Sequence, residues 1–156
     1  MADFSQAIPA VLDNEGGLSN DPMDAGGLTN FGISQRQYPD VDIRNLTREA
    51  ASAIYERDYW PPFAKIASQR VATKLFDTAV NIGLSKCVRL AQLAVGAIEV
   101  GPIVADGIIG EQTVAAINAA DEEKLIDEFK ARLSKYYCEL NQPEFILGWL
   151  RRAVKG

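Results

Sequence analysis

Ser68-Gln69-Arg70-Val71-Ala72-Thr73-Lys74-Leu75-Phe76-Asp77-Thr78-Ala79-Val80-Asn81-Ile82-Gly83 is the most strongly apolar helical stretch of the chain. Ser68 has the side chain of an N-cap. Val71, Ala72, Leu75, Phe76, Ala79 and Val80 recur with the period of a helix, and Gly83 ends the run. The spacing predicts a buried central helix against which the remaining elements pack. Asp77 and Asn81 stand one turn apart on it.

Outward from this stretch the same periodicity returns. A helix is expected from about Ser5 to Glu15, with Phe4, Ile8, Val11, Leu12 and Glu15 on its stripe. Ser5 as cap would place Pro9 near the first turn, where a missing N–H is tolerated. Ser34-Gln35-Arg36-Gln37 has the form of a capping box before a short helix. Thr47 opens a helix to about Trp60, with Ala51, Ile54, Tyr55 and Tyr59 inward. Ser85 opens one to about Ile98, with Val88, Leu90, Ala91, Ala94 and Val95 inward. A short helix follows over Glu111 to Ala119. Asp121 then caps a long one carrying Leu125, Ile126, Phe129, Leu133, Tyr136, Tyr137 and Leu140. Pro143 starts the last, with Phe145, Trp149 and Leu150 on its stripe. The expected fold class is mainly α, with one small β-hairpin wing near residues 18–33.

Composition removes several function classes. The chain has 156 residues, two cysteines and no histidine, and its net charge is −5. That length suits one compact unit. Without histidine there is no Ser-His-Asp or Cys-His nucleophile within the chain, and no His-ligated zinc. The acidic balance argues against nucleic acid as a partner. Arg151, Arg152 and Lys155 read as a solvated helix terminus complementing the dipole. Cys87, among apolar neighbours, reads as a buried thiol. Neither a signal peptide nor a membrane span is visible, so stable membrane insertion is not expected. The chain is expected to be made in the cytoplasm and to need a carrier if it acts outside.

The chemistry concentrates in the polar loop that follows the first helix. Glu15 to Ile33 holds five glycines, three carboxylates and Thr29, and glycine turns can bring distant side chains together. Glu15 ends an apolar stripe, where desolvation raises a carboxyl pKa and suits a general acid. Asp24, in a hydrated loop, is the natural ionised partner, as glycosidases require. Thr29 offers a hydroxyl to orient water. Each residue also has a plain reading: a helix end, an Asx turn, a strand position. Asn81 either donates to a sugar acetamide or simply precedes the helix end. Trp60, with Tyr59 and Phe63, is either a sugar-stacking platform or core. The Asp21/Asp24 pair lacks the ligand order of a calcium loop. No metal and no cofactor is expected.

Glu15-Gly16-Gly17, Asp21-Pro22, Asp24, Gly26-Gly27, Thr29, Asn30 and Gly32-Ile33 resemble the catalytic motif of glycoside hydrolase family 108. Its members are lysozyme-like N-acetylmuramidases found among phage endolysins and bacterial secretion activator proteins. The resemblance implies a lysozyme-like fold and Glu15 as catalytic acid. The Glu-x8-Asp-x4-Thr spacing also resembles the triad of phage-type lysozymes, which carry one more residue between Asp and Thr. Asp77 to Gly83 is similar to the family's central-helix segment. Asp106-Gly107-Ile108-Ile109-Gly110-Glu111-Gln112-Thr113 resembles the Asp-Gly-x-x-Gly-x-x-Thr signature of peptidoglycan-binding modules. The resemblance implies a muramidase part over residues 1–92 and a peptidoglycan-binding-like helical part over 93–156, packed as one unit. Asn30, Trp60, Asp77, Asn81 and Asp106 are the expected substrate-binding residues. Peptidoglycan glycan strands are the expected partner, in the periplasmic wall, with a holin or secretion system for export. Two rivals keep the same sequence features: a non-catalytic peptidoglycan-binding protein, and a secretion or phage-assembly accessory protein.

Overall fold

The structure, a computed structural model, describes residues 1–14, 17–20 and 28–155. Helix α3 (Gln69–Ile82) forms where the apolar period places it. The Ser68 hydroxyl accepts from the Val71 N–H at 3.1 Å, and Val71, Ala72, Leu75, Phe76 and Ala79 are buried. Helices α1 (Phe4–Asn14) and α4 (Leu84–Ala97) pack against it. Helix α2 (Arg48–Asp58) packs on α1, α5 (Glu111–Ala119) and α6 (Glu122–Glu139) on α4, and α7 (Pro143–Val154) on α6. The mainly helical fold is therefore as expected. Phe76 is the meeting point of its first half. The rings of Phe4, Tyr55, Trp60 and Phe63 surround it with centroids 5.3 to 6.3 Å away, mostly edge-on, the favoured arrangement for aromatic pairs.

The wing is a three-stranded antiparallel sheet, one strand more than a hairpin. Strand β1 (Ser19–Asn20) pairs with β2 (Leu28–Asn30), which pairs with β3 (Ile33–Ser34). Phe31 and Gly32 turn β2 into β3, both with positive φ (51° and 76°), the geometry of a two-residue hairpin turn. A non-glycine residue in that region is uncommon. Phe31 is held there by the Tyr55 hydroxyl, which donates to its carbonyl at 2.8 Å and ties the wing to α2.

Four local expectations give way to stronger constraints. Helix α1 begins one residue before Ser5. Asp3 is the cap, its carboxylate accepting from the Ser5 N–H at 2.8 Å, and Pro9 consequently sits mid-helix, on the exposed side. The Ser34 box forms its first turn only: the Tyr38 N–H reaches the Ser34 carbonyl at 3.0 Å, and Pro39 then has no N–H to continue. Ser85 does not cap α4. Gly83, with φ 89°, ends α3 and starts α4 at once. Gly107 packs against the first turn of α4 so closely that a Cβ there would lie 2.6 Å from the Ser85 Oγ. Finally, Phe145 is 54% exposed and Ala153 is the buried residue of α7.

What fastens α7 to α3 is polar. Arg152 grips Asp77 of α3, with Nη2 to Oδ1 at 2.9 Å and Nε to Oδ2 at 3.2 Å, and Nη2 also reaches the Asp77 carbonyl at 3.2 Å. Asp77 accepts in addition from Asn14 Nδ2 at 3.0 Å, and Asn14 Oδ1 accepts from Lys155 at 3.1 Å. The last residue of α1 is thus joined to α3 and to the end of α7. Lys74 donates to the Arg152 and Lys155 carbonyls at 2.9 and 2.6 Å, satisfying acceptors that a helix end leaves without partners.

Three outcomes follow from this packing. Phe76→Ala should cost about 3–5 kcal/mol in urea unfolding, because four rings lose their common neighbour. Asp77→Asn should cost about 3 kcal/mol, since it leaves a partly buried guanidinium without its charge partner. Burial lowers the Lys74 ammonium from 10.5 to about 8, against the pull of the Asp77 carboxylate. Between pH 8 and 10.5 the unfolded chain then holds a proton that the folded chain has released, so folding gains stability as pH rises through this window. Unfolding curves of wild type and Lys74→Met should diverge in favour of wild type across that window, and parallel curves would refute the shift.

Candidate active site

Two of the expected catalytic residues, Glu15 and Asp24, lie outside the described residues. Thr29 is on β2, half-buried, opposite Ser19 on one side and Ser34 on the other. Its neighbour Asn30 is buried, and its Nδ2 donates to the Ile43 and Leu46 carbonyls at 3.1 and 3.3 Å. Asn30 therefore holds the connector between the wing and α2, and its donor group is used inside the protein. That corrects its expected contact with substrate.

Trp60 is corrected in the same way. It is 6% exposed, and its ring packs edge-on against Phe4 and Phe76. The indole presents no platform to a sugar. Phe63 is fully buried beside it. The core reading of this aromatic group, open in the sequence, is the one realised. Tyr59 is only partly buried, and its hydroxyl accepts from Gln37 Nε2 at 2.7 Å.

A line of cavities runs along α3 where α1 and α7 meet it. The first, of about 200 Å³, is lined by Asn14, Thr73, Lys74, Asp77 and Lys155. It shares Asn14 and Lys155 with a second of about 340 Å³, which adds Asn81, Gly148, Trp149, Arg151 and Arg152. Asn81 and Trp149 lead on to a third of about 250 Å³, bounded by Lys86, Tyr136 and Tyr137. Asn81 is steadied by the Tyr137 hydroxyl, which donates to Oδ1 at 2.5 Å. Burial pushes the Tyr137 hydroxyl up to about 12, so it keeps its proton. Asp77 borders the first cavity with both carboxylate oxygens engaged, by Arg152 and Asn14.

Asp106 lies elsewhere. Its Oδ1 accepts from Gln92 Nε2 at 2.8 Å and from the Ile108 N–H at 2.9 Å, and these bonds hold its carboxyl below the usual range, the backbone bond most. Gln92, buried within α4, also donates to the Ile108 carbonyl and to Thr113 Oγ1, both at 3.1 Å, and accepts from the Gly107 N–H at 2.8 Å. The Asp-Gly-x-x-Gly-x-x-Thr run thus closes on a glutamine inside the protein. These bonds make Asp106 a loop staple through Oδ1, while the residue itself stays exposed.

Sequence reasoning missed Gln92, whose apolar neighbours gave it no distinction, and misread Arg152 as a solvated end. The available signal for Arg152 was Asp77 itself. A carboxylate on the apolar face of the most buried helix requires a cation.

The family model for glycosyl hydrolase 108 matches residues 8–83, and that for a predicted peptidoglycan domain matches residues 86–154. Among solved structures, SagA of Brucella abortus is similar, with 28% identity and a TM-score of 0.79 over 96% of this chain and 88% of that one. No curated relative matches. The two matched segments, joined without a linker, make this a glycoside hydrolase with peptidoglycan as its substrate partner. Residues 8–83 thus form a glycosyl hydrolase 108 segment, followed over residues 86–154 by a predicted peptidoglycan domain.

Proposed function

We propose that the chain is an N-acetylmuramidase that cleaves the β-1,4 bond between N-acetylmuramic acid and N-acetylglucosamine. Glu15 is the general acid that protonates the leaving oxygen. Asp24 is the ionised carboxylate that stabilises the developing positive charge or activates water, and Thr29 orients that water. The observation that supports this most is the place of Asn14. It ends α1, precedes Glu15 in the chain, and borders the cavities between α1, α3 and α7. The glycosyl hydrolase match covers the same residues. Carboxyl separation decides between inversion and retention. In this reading the enzyme works on the periplasmic wall, reached after synthesis in the cytoplasm through a holin or a secretion system.

Glu15→Gln tests the proposal. Glutamine keeps the shape of the side chain and removes the proton, and a positioned general acid is worth ~10²–10⁴ in rate. Lysis of purified peptidoglycan should fall by that factor with unchanged circular dichroism. Mass spectrometry of the wild-type digest should find N-acetylmuramic acid at the reducing ends. Asp24→Asn should be damaging but less so, and Thr29→Ala milder still. Near-normal lysis by folded Glu15→Gln would transfer the case to a non-catalytic wall-binding protein.

A further inference from the structure

The middle cavity along α3 is made of donors. Among the described residues that line it, Arg151 has no hydrogen-bond or ion-pair partner, Lys155 spends one bond on Asn14, and Asn81 has its Oδ1 taken by Tyr137 while its Nδ2 has no partner. The nearby carboxylate, Asp77, is already neutralised by Arg152. Such a surface can be satisfied only by an acceptor, and two cations select a negatively charged one. Its volume of about 340 Å³ is that of a small-ligand site, and the half-buried indole of Trp149 gives it an apolar wall.

Gly148 carries the argument further. It stands in the middle of α7, where glycine costs roughly 0.8–1 kcal/mol relative to alanine. Nothing lies within 4 Å of the position a Cβ would take, and no positive φ calls for glycine there. Neither packing nor backbone conformation accounts for it. It lines the cavity, and the absence of a side chain leaves that side open.

We infer that the cleft formed by Asn81, Gly148, Trp149, Arg151 and Lys155 is a binding site for the carboxylates of the peptidoglycan stem peptide. The inference rests on the reading of the chain as a peptidoglycan hydrolase. The glycan itself is neutral wherever the muramic acid lactyl group is amidated, whereas the peptide it bears carries free carboxylates. Arg151 and Lys155 contact those carboxylates, Asn81 donates to a backbone or acetamide carbonyl, and the gap above Gly148 passes the chain. The cleft adjoins Asn14, so a peptide held here belongs to a muramic acid close to the end of α1.

The test uses the full chain with two wall preparations fixed to beads: intact sacculi, and glycan strands freed of their stem peptides by an amidase, which exposes the lactyl carboxylates instead. Arg151→Gln removes the unpaired cation, and Gly148→Leu fills the gap. Each should weaken co-sedimentation with intact sacculi about fivefold, as one screened charge contact would, and raise KM alike with kcat unchanged. On the stripped strands the variants should match wild type. Gly148→Ala should raise thermal stability, which shows that the glycine is not there for the fold. Unaltered retention of both variants on intact sacculi would make the basic turn a helix terminus only. Equal losses on both preparations would assign the cleft to the glycan or the lactyl group and overturn the stem peptide, as would failure of wild type to sediment with either. Wild-type sedimentation without turnover would remove the hydrolase reading while the comparison of variants still decides the cleft.

Discussion

A carboxylate lies where an apolar residue would be expected, on the buried face of the most apolar helix in the chain. Asp77 has lost most of its water, and the several kcal/mol this costs are offset only because Arg152 meets it with two N–H groups and Asn14 with a third. Such a pair adds little to stability over a well-packed hydrocarbon. What it supplies is placement. An apolar contact would let α7 slide or rotate on α3, whereas a forked guanidinium accepts essentially one orientation. Because Asn14 shares the same carboxylate and Lys155 holds Asn14, the end of α1, the middle of α3 and the end of α7 have one common reference point.

Gln92 does the corresponding work in the second half. One amide makes three contacts with the loop that leads into α5 and a fourth with Thr113 in the first turn of α5, two of the four to main-chain groups. The left-handed backbone of Gly107 and its contact with Ser85 bring that loop against α4 with no room for a side chain. The signature that suggests a wall ligand in the sequence is thus explained by folding. The recognition site proposed above lies on α7, whose exposed residues carry no such signature.

The helical body was legible because its signals are local. Thr47, Ser68 and Asp121 each cap through their own side chains, and the apolar period marks the faces that become buried. The boundaries that went astray depended on neighbours. Asp3 outcompetes Ser5 as a cap, Pro39 stops a turn that Ser34 has started, and Gly83 replaces Ser85 because a single residue has to reverse the chain between two long helices. The site was legible only as a set of residue types. Asp77 and Asn81 could be placed on one face, but their partners Arg152 and Tyr137 are 75 and 56 residues away, and no periodicity reports such a distance. Trp60 and Asn30 have the side chains of ligand contacts and are buried by packing that only the folded chain reveals.

The single-residue joint at Gly83 has a bearing on how the two halves cooperate. A binding module on a flexible tether samples a volume, and its help to a catalytic neighbour is diluted to the effective concentration that the tether permits. Here one helix ends where the next begins, and the ion pair between α3 and α7 closes the arrangement from the far side. If both halves hold the wall as proposed, they would act as one bidentate ligand, with the avidity of a rigid span and none of the tolerance of a linker. A glycan strand whose substituents are spaced to match would then engage both halves at once, and one spaced differently would engage neither well. Selectivity among wall architectures would become a matter of length and registry, set by the backbone.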